Sequence, residues 1–320
     1  MTKRTRVFLL ASAGVLAAVL ATGLAARAAG ALGASTPDEL AYVPATARMV
    51  AYADVREVMK SPFHDRFRQF QTANGDSIEA RTGIKFERDI DSVLVASMDG
   101  PQPGLPKDSA LLIARGRFDT TRVESLMREQ GGQVEQYRGK RIMTIKDDAA
   151  LATLAFAEPG LLLFGARDNV RGALDAKAGA AQTIGANTEF MALVGDVDEG
   201  TAWTVAKFDA LLSQRGPVPD AVLGQLPPIN WLAASGRIDT GLHGMVRADA
   251  RDEQSAQNLR DVVQGFLSLA RLQGSRDPAY RQLLDSVTLN TKGTSVSLSF
   301  DVSPSVLDGL NSPGGALRRR

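Results

Sequence analysis

Cysteine is missing from this 320-residue chain. Its absence excludes disulfide bonds, thiolate nucleophiles, zinc or iron–sulfur sites built on cysteine, and the lipid-modified N-terminal cysteine of bacterial lipoproteins. Aromatic residues are also scarce, at 6% of the chain. We therefore expect cores built mainly from Ala, Val, Leu and Ile.

Histidine is limited to His64 and His243. A transition-metal site would need both of them to meet together with carboxylates. The sequence does not exclude a Ser–His–Asp triad, because the three residues of a triad meet only in the folded structure. The chain has no Gly-x-Ser-x-Gly motif, however. Phosphate-binding and dinucleotide-binding glycine motifs are missing as well. We predict no catalytic residue, no cofactor-binding residue and no metal ligand.

Two acidic runs deserve comparison with calcium loops. Glu87, Asp89 and Asp91 would share one side of an extended segment, where their oxygens could hold a hard cation. The run 196–199 invites the same hypothesis. Neither run has the further oxygen ligands and the glycine-enforced turn of a calcium loop, so capping or solvated acids are the favoured interpretation.

Overall charge argues against nucleic acid as a partner. The formal net charge is +1, but Lys3, Arg4, Arg6 and Arg27 belong to a segment, 1–34, that has no acid. Without these four, 33 basic residues face 36 acidic ones, so the remainder is slightly acidic with mixed charges. Such a body lacks the basic patch that binds phosphate backbones.

The chain opens with the parts of an export signal. Residues 7–26 contain no charge and follow three basic residues. Twenty residues of helix span about 30 Å, so the run fits either a removed secretory signal or a retained anchor in the cytoplasmic membrane. The basic flank would stay inside, which places the rest of the chain in the periplasm or outside the cell.

Residues 229–272 have the clearest structural pattern. Ile229–Ile238 and Leu242–Ala250 predict a hairpin, and Asp252 predicts the cap of an amphipathic helix that stops near Gly274. The predicted buried stripe of this helix comprises Ala256, Leu259, Val263, Phe266 and Ala270. The same succession of strands, helices and hairpins occurs in the first half of the chain.

Two sequence echoes suggest an internal repeat. Residues 50–54 match 205–209, and residues 116–120 match 236–240, but the two offsets differ. The order of elements favours duplication more than these identities do. We predict an α+β fold of two similar tandem modules, each an antiparallel sheet with helices packed on one face. The expected organisation is 1–34 signal or anchor, 35–180 first module, 187–310 second module, and 311–320 disordered basic tail.

Three further features have a structural and a functional interpretation. Trp203 and Trp231 lie on predicted apolar strands, where core packing is favoured over ligand stacking. The residues 318–320 are all arginine and would contact an anionic membrane surface or simply be solvated. We favour the solvated tail.

Several segments resemble an uncharacterised family of exported or membrane-anchored bacterial α+β proteins. They are Tyr42-Val43-Pro44-Ala45, 50–56, Thr82-Gly83-Ile84 with 89–91, 114–119, and 251–253 with 258–261. The resemblance would cover residues 40–310. It implies an envelope location and assigns no site residue.

These observations favour a non-catalytic extracytoplasmic envelope protein with a partner-binding or assembly role. The expected partners are an envelope protein and, through residues 7–26 if uncleaved, the cytoplasmic membrane. A periplasmic hydrolase with an unrecognised site and a carrier of a lipid or small apolar ligand remain alternatives.

Overall fold

The structure is a computed structural model that describes residues 37–61, 83–98, 110–147, 150–213, 226–238, 241–274, 278–304 and 306. The spacing of Phe63, Phe67 and Phe70 predicts a helix, but these residues lie outside the described ranges. So do His64, the segment 7–26 and the tail 311–320 with its three arginines. Within the described ranges, no helix is long and apolar enough to span a membrane.

One antiparallel sheet of twelve strands organises the described residues. The strands are β1 (Ala47–Asp54), β2 (Ile90–Met98), β3 (Ala110–Gly116), β4 (Gln133–Tyr137), β5 (Lys140–Asp147), β6 (Ala150–Glu158), β7 (Leu161–Gly165), β8 (Ala202–Lys207), β9 (Ile229–Ile238), β10 (Leu242–Ala250), β11 (Thr288–Lys292) and β12 (Ser295–Val302). Their order across the sheet is β11-β12-β10-β9-β8-β1-β2-β3-β7-β6-β5-β4.

Eight α-helices lie among the described residues. They are α1 (Val55–Lys60), α2 (Phe86–Asp89), α3 (Thr120–Glu129), α4 (Arg167–Lys177), α5 (Thr188–Val197), α6 (Phe208–Ser213), α7 (Glu253–Gly274) and α8 (Pro278–Ser286). Two 3-10 helices, Asp38–Tyr42 and Ile184–Ala186, complete the elements. The predicted α+β class with an antiparallel sheet is confirmed.

Caps account for several helix starts. The carboxylates of Asp54, Asp119 and Asp252 each accept a hydrogen bond from a backbone N–H in the first turn of α1, α3 and α7. Asp168 has the residue type of a helix cap and the sequence predicts it as the cap of α4, but the helix begins at Arg167, so Asp168 lies in its first turn.

Alternating side chains divide the sheet into a front face, which carries Val50, Leu94 and Val205, and a back face, which carries Ala51, Val93 and Thr204. Both 3-10 helices, α4 and α5 cover the front face in the largest core cluster. α3 packs on the back face of the first half, and α7 and α8 pack on the back face of the second half. The helices are therefore distributed over both faces.

The two halves share a strand order. The first contains β1-β2-β3-β7-β6 and the second β8-β9-β10-β12-β11, while β5 and β4 extend the first half outward. β1 and β8 pair directly, so the halves belong to one continuous sheet. Residues 182–184, which lie between the two halves in sequence, also contact the first half. Ala45 N–H donates to the carbonyl of Gln182, and Ile184 N–H donates to the carbonyl of Val43. The division into two domains stays a prediction.

Candidate functional site

A group of polar side chains lies on the front face near the strand ends that we call the upper edge of the sheet, where β1 and β3 end and β8 begins. We call it the tyrosine cluster and define it by Glu39, Tyr42, Tyr52, Arg115 and Glu158. Tyr52 and Arg115 stand on β1 and β3, and Glu158 ends β6. The first 3-10 helix lays Glu39 and Tyr42 over these strands, because Leu40 and Tyr42 are buried in the front-face core.

Hydrogen bonds tie the 3-10 helix to the sheet. Tyr42 Oη donates to Glu158 Oε1 at 2.7 Å, and Arg115 Nε donates to Glu39 Oε1 at 2.5 Å. Lys177 Nζ lies 3.3 Å from Glu158 Oε1 and 4.9 Å from the centre of the Tyr42 ring. These contacts therefore join four separate parts of the chain: the first 3-10 helix, β3, β6 and α4.

The electrostatics fix the charge of each cluster member for which the pKa is shifted. Burial raises the pKa of Tyr52 to about 12, assisted by the nearby charge of Asp54. Burial and the hydrogen bond to Glu158 raise the pKa of Tyr42 further, and that bond lowers the pKa of Glu158. Glu39 raises the pKa of Arg115. These groups keep their ordinary charge near neutral pH, which suits binding and positioning better than proton transfer.

Trp203 lies beside the cluster as the cross-strand neighbour of Tyr52. The two rings stack with centroids 5.9 Å apart and planes 24° from parallel. Trp203 is 1% exposed, and its Nε1–H has no hydrogen-bond partner among the described residues. The predicted core role of Trp203 and Trp231 agrees with their burial, and Trp231 Nε1 donates to Glu189.

His243 occupies the front face of β10, between Arg237 of β9 and Asp301 of β12. Its Nδ1 forms a short hydrogen bond with Asp301 Oδ1, and both side chains are accessible to solvent. The front-face serines Ser235 and Ser299 stand one row away, opposite Met245. The structure thus places a histidine–carboxylate pair on an open sheet surface.

The acids of the run 87–91 do not share one side, because residues 86–89 form the short helix α2. Asp89 accepts from the backbone N–H of Lys85 and pairs with Arg88, whereas Asp91 pairs with Arg56. Asp196 of the second run pairs with Arg247. Among the described residues, no three or more His, Asp and Glu side chains are grouped in a way that could hold a metal ion.

Sequence reasoning missed the tyrosine cluster as a unit. Arg115 belongs to a segment singled out for its likeness to exported proteins, and Tyr42 to another, but Glu39 drew no attention. An acid that is buried in a 3-10 helix can be recognised only once its partner, 76 positions away, is known.

Comparisons with known proteins begin with sequence: no protein-family model matches the chain, and no curated protein matches it. The solved structure of TP0453 in crystal form III superimposes with a TM-score of 0.51, covering 85% of this chain and 96% of that one. The chain shares its fold with TP0453. Crystal form IV of TP0453 gives a TM-score of 0.48 over 86% and 96% of the two chains. Identity to TP0453 is 11% in both, so the likeness concerns the fold alone.

Proposed function

We propose that this chain is a non-catalytic extracytoplasmic protein of the bacterial envelope that binds an envelope protein through its second half. The location is supported by the uncharged run 7–26 behind its basic flank. Lack of catalysis is supported by the tyrosine cluster, whose shifted pKa values keep its groups in fixed charge states. The internal repeat is part of this proposal, supported by the strand order that both halves share.

The observation that carries partner binding is an open part of the front face, which we call the C-terminal wing. It comprises the front-face residues of β10 and β12: His243, Met245, Arg247, Asp249, Ser295, Ser297, Ser299 and Asp301. All of them are at least partly exposed, while the back face of the same strands is buried against α7 and α8. The wing is a mostly polar surface on paired strands that α7 and α8 cover from behind, and side chains carried on strands present a more precisely placed surface to a partner than side chains on loops do.

Crosslinking in cells tests whether the chain binds an envelope protein. The full chain would be crosslinked in cells, purified, and its partners identified by mass spectrometry. We expect one reproducible envelope protein, lost with Ser297→Arg in the centre of the wing. Ser268→Arg is the matched control, because Ser268 is exposed on α7 at the opposite face. Recovery of no reproducible partner, or equal recovery with both variants, contradicts the proposal.

Location is tested by fractionation of cells followed by N-terminal sequencing. We expect the chain in the periplasm or the cytoplasmic membrane, and the sequencing shows whether residues 7–26 have been removed. A full-length chain that remains in the cytosol with these residues intact would overturn the envelope assignment.

The His243–Asp301 pair is the one specific observation that favours the alternative of a periplasmic hydrolase. A histidine oriented by a carboxylate is half of a nucleophile-activating arrangement. If the alternative holds, the purified chain cleaves esters from a substrate panel, and His243→Ala abolishes this activity while the fold is kept. Our proposal expects no turnover by either protein.

A further inference from the structure

Strand β4 is one end of the sheet, and no strand of the described residues lies beyond it. Together with β5 it also lies outside the strand order that both halves share. The two strands form a hairpin through Arg138 and Gly139, which both have positive φ. A two-residue turn of this kind is flanked by residues that exchange both hydrogen bonds, here Tyr137 and Lys140. Every second residue of β4, counted from Tyr137, therefore directs its backbone groups to β5.

The intervening residues, Val134 and Gln136, direct their backbone N–H and C=O groups to the open side of the sheet. Their side chains lie on the back face, where Val134 pairs with Met143. Met143 is buried in the back-face core, but Val134 is 41% exposed and Gln136 is exposed as well. This edge therefore presents backbone hydrogen-bonding groups beside an exposed apolar side chain.

Side-chain contacts with α4 hold the β4 edge in place. From α4, Arg167 and Arg171 both contact the carboxylate of Glu135. Asp175, also on α4, accepts hydrogen bonds from Tyr137 Oη and from Nε of the turn arginine, each at 2.7 Å. The backbone groups along the open side of β4 therefore keep a fixed spacing.

β4 lacks several features that usually protect an exposed edge from pairing with another chain. Its residues, Gln133–Tyr137, include no proline and no lysine, and it pairs with β5 without a bulge. Its one charged side chain, Glu135, is compensated by the two arginines of α4. By contrast, β11 at the other end of the sheet finishes with the exposed Lys292.

A second copy of β4 complements this edge under two-fold symmetry. One antiparallel register places Val134 opposite Val134 of the other copy, where the two residues exchange both backbone hydrogen bonds and their exposed side chains meet. Gln133 then lies opposite Glu135, and its amide can donate to that carboxylate. The next register would place Glu135 opposite Glu135, where like charges repel each other. Side-chain chemistry therefore favours the register centred on Val134.

We propose that two copies of this chain associate through β4, in the register centred on Val134, and join their sheets into one continuous sheet. The contact is small, so the dimer is reversible and dissociates on dilution. The C-terminal wing lies toward the other end of the sheet, so the dimer carries one wing toward each outer end. Two wings on one particle bind a partner that is present in several copies more tightly than one wing does. The association itself does not depend on the proposed function of the wing.

Sedimentation equilibrium of the purified full-length chain tests the association. We expect a dimer whose fraction rises with protein concentration. Val134→Lys places two ammonium groups opposite each other and should weaken the association at least tenfold. Thr291→Lys is the matched control, because Thr291 is exposed on β11 at the other edge, and this variant should still form the dimer. A monomer at every concentration, or equal weakening by both substitutions, overturns the proposal.

The absence of cysteine allows single disulfides to report the register. In the proposed dimer, the Cα atoms of the two Val134 residues are about 5.5 Å apart, within the range that a disulfide spans. Gln136 lies on the same face of the same strand, but its two copies are offset by four residues, roughly 13 Å along the strands.

Mild oxidation of Val134→Cys and Gln136→Cys therefore provides a matched comparison. We expect the Val134→Cys protein to form disulfide-linked dimers at least tenfold faster than the Gln136→Cys protein. Equal or faster crosslinking of Gln136→Cys overturns the register. A chain that sediments as a dimer but crosslinks through neither position overturns the assignment of the interface to β4.

Discussion

Val50 lies directly opposite Val205 where β1 and β8 pair, and both side chains are completely buried on the front face. These residues also correspond in the sequence echo 50–54 and 205–209. If the halves are repeats, the two equivalent valines face each other at a local two-fold axis. The paired strands β1 and β8 then form the seam between the halves, and both valines belong to the front-face core.

Shortening the valine side chains at this seam should destabilise the fold. We expect Val50→Ala and Val205→Ala each to lower the free energy of unfolding by about 1–3 kcal/mol, because each removes buried methyl groups that the neighbours cannot replace. Urea unfolding provides the measurement. Val134→Ala on edge strand β4, at 41% exposure, is the control and should change stability by less than about 0.5 kcal/mol. Equal effects at buried and exposed positions would contradict this account of the seam.

Gly244 on β10 should resist substitution by alanine. A Cβ atom there would lie 2.2 Å from Cζ of Phe300, which stands opposite on β12 and is buried. We expect Gly244→Ala to cost about 1–3 kcal/mol through overpacking, with part regained when Phe300→Leu is added. Thermal unfolding would detect both effects.

Gly195 supplies the control for this prediction. It lies in α5, and a Cβ there would meet no atom within 4 Å. Gly195→Ala should therefore be neutral or stabilise by up to about 1 kcal/mol, since alanine is the better helix former. A Gly244→Ala protein as stable as the Gly195→Ala protein would show that the ring of Phe300 moves aside freely.

The tyrosines should lose their protons at a higher pH in the folded protein than in the unfolded chain. The pKa values of all four are raised, that of Tyr52 to about 12, by burial at Tyr42, Tyr52 and Tyr280 and mainly by a hydrogen bond to Asp175 at Tyr137. We expect the folded protein to show less tyrosinate absorbance at pH 10.5 than the urea-unfolded chain, which is mostly ionised above about pH 10.

The same shifts predict how stability depends on pH. The folded protein holds these phenol protons more tightly than the unfolded chain does, so their contribution is complete below about pH 10. It is lost as the pH rises from there through the folded pKa values, about 12 for Tyr52. Tyr52→Phe should remove one part of this loss and keep the ring against Trp203. If the tyrosines of the folded and the unfolded protein ionise at the same pH, the raised pKa values are wrong.

Arg115 and Glu39 should respond asymmetrically to mutation. The Glu39 side chain is 7% exposed and that of Arg115 is 39% exposed. Arg115→Ala leaves a buried carboxylate without its cation, and we expect a loss of about 2–3 kcal/mol. Glu39→Gln keeps a hydrogen-bond acceptor for Arg115, and the Arg115 side chain can also reach water. We therefore expect this variant to lose only about 1 kcal/mol of stability. Chemical denaturation of both variants checks the order. The reverse order would mean that groups other than Arg115 stabilise the buried Glu39 carboxylate.

Local patterns were sufficient where the structure depends on neighbours in sequence. The hairpin Ile229–Ile238 and Leu242–Ala250 has its predicted bounds, and Asp252 caps α7, which ends at Gly274. Of the predicted apolar stripe of α7, Ala256, Leu259 and Ala270 are buried and Val263 and Phe266 are half-buried, whereas Leu267, outside the predicted stripe, is buried. Phe266 lies at the border of the stripe, where periodicity alone does not decide burial.

The order of the strands could not be predicted from the sequence, and the reason is physical. Strand order depends on which apolar faces meet in space, and β1 pairs with a strand in the other half of the chain. The echo between 116–120 and 236–240 was misleading, since these segments end β3 and β9, whereas the strand order makes β10 the counterpart of β3. The caps Asp119 and Asp252 do stand at corresponding places, because α3 and α7 each follow one of these two strands.

The pairing of β1 with β8 has a consequence for incomplete chains. Its paired residues are up to 157 positions apart, Met49 and Ala206 being the most distant, so β1 has an unsatisfied backbone edge until the second half has been made. A chain that ends before β8, through stalled synthesis or proteolysis, would present this edge next to the apolar Val50. The β1 strand of another such fragment could then take the place of β8, because antiparallel edges pair readily. We therefore expect fragments of the first half to form dimers or aggregates.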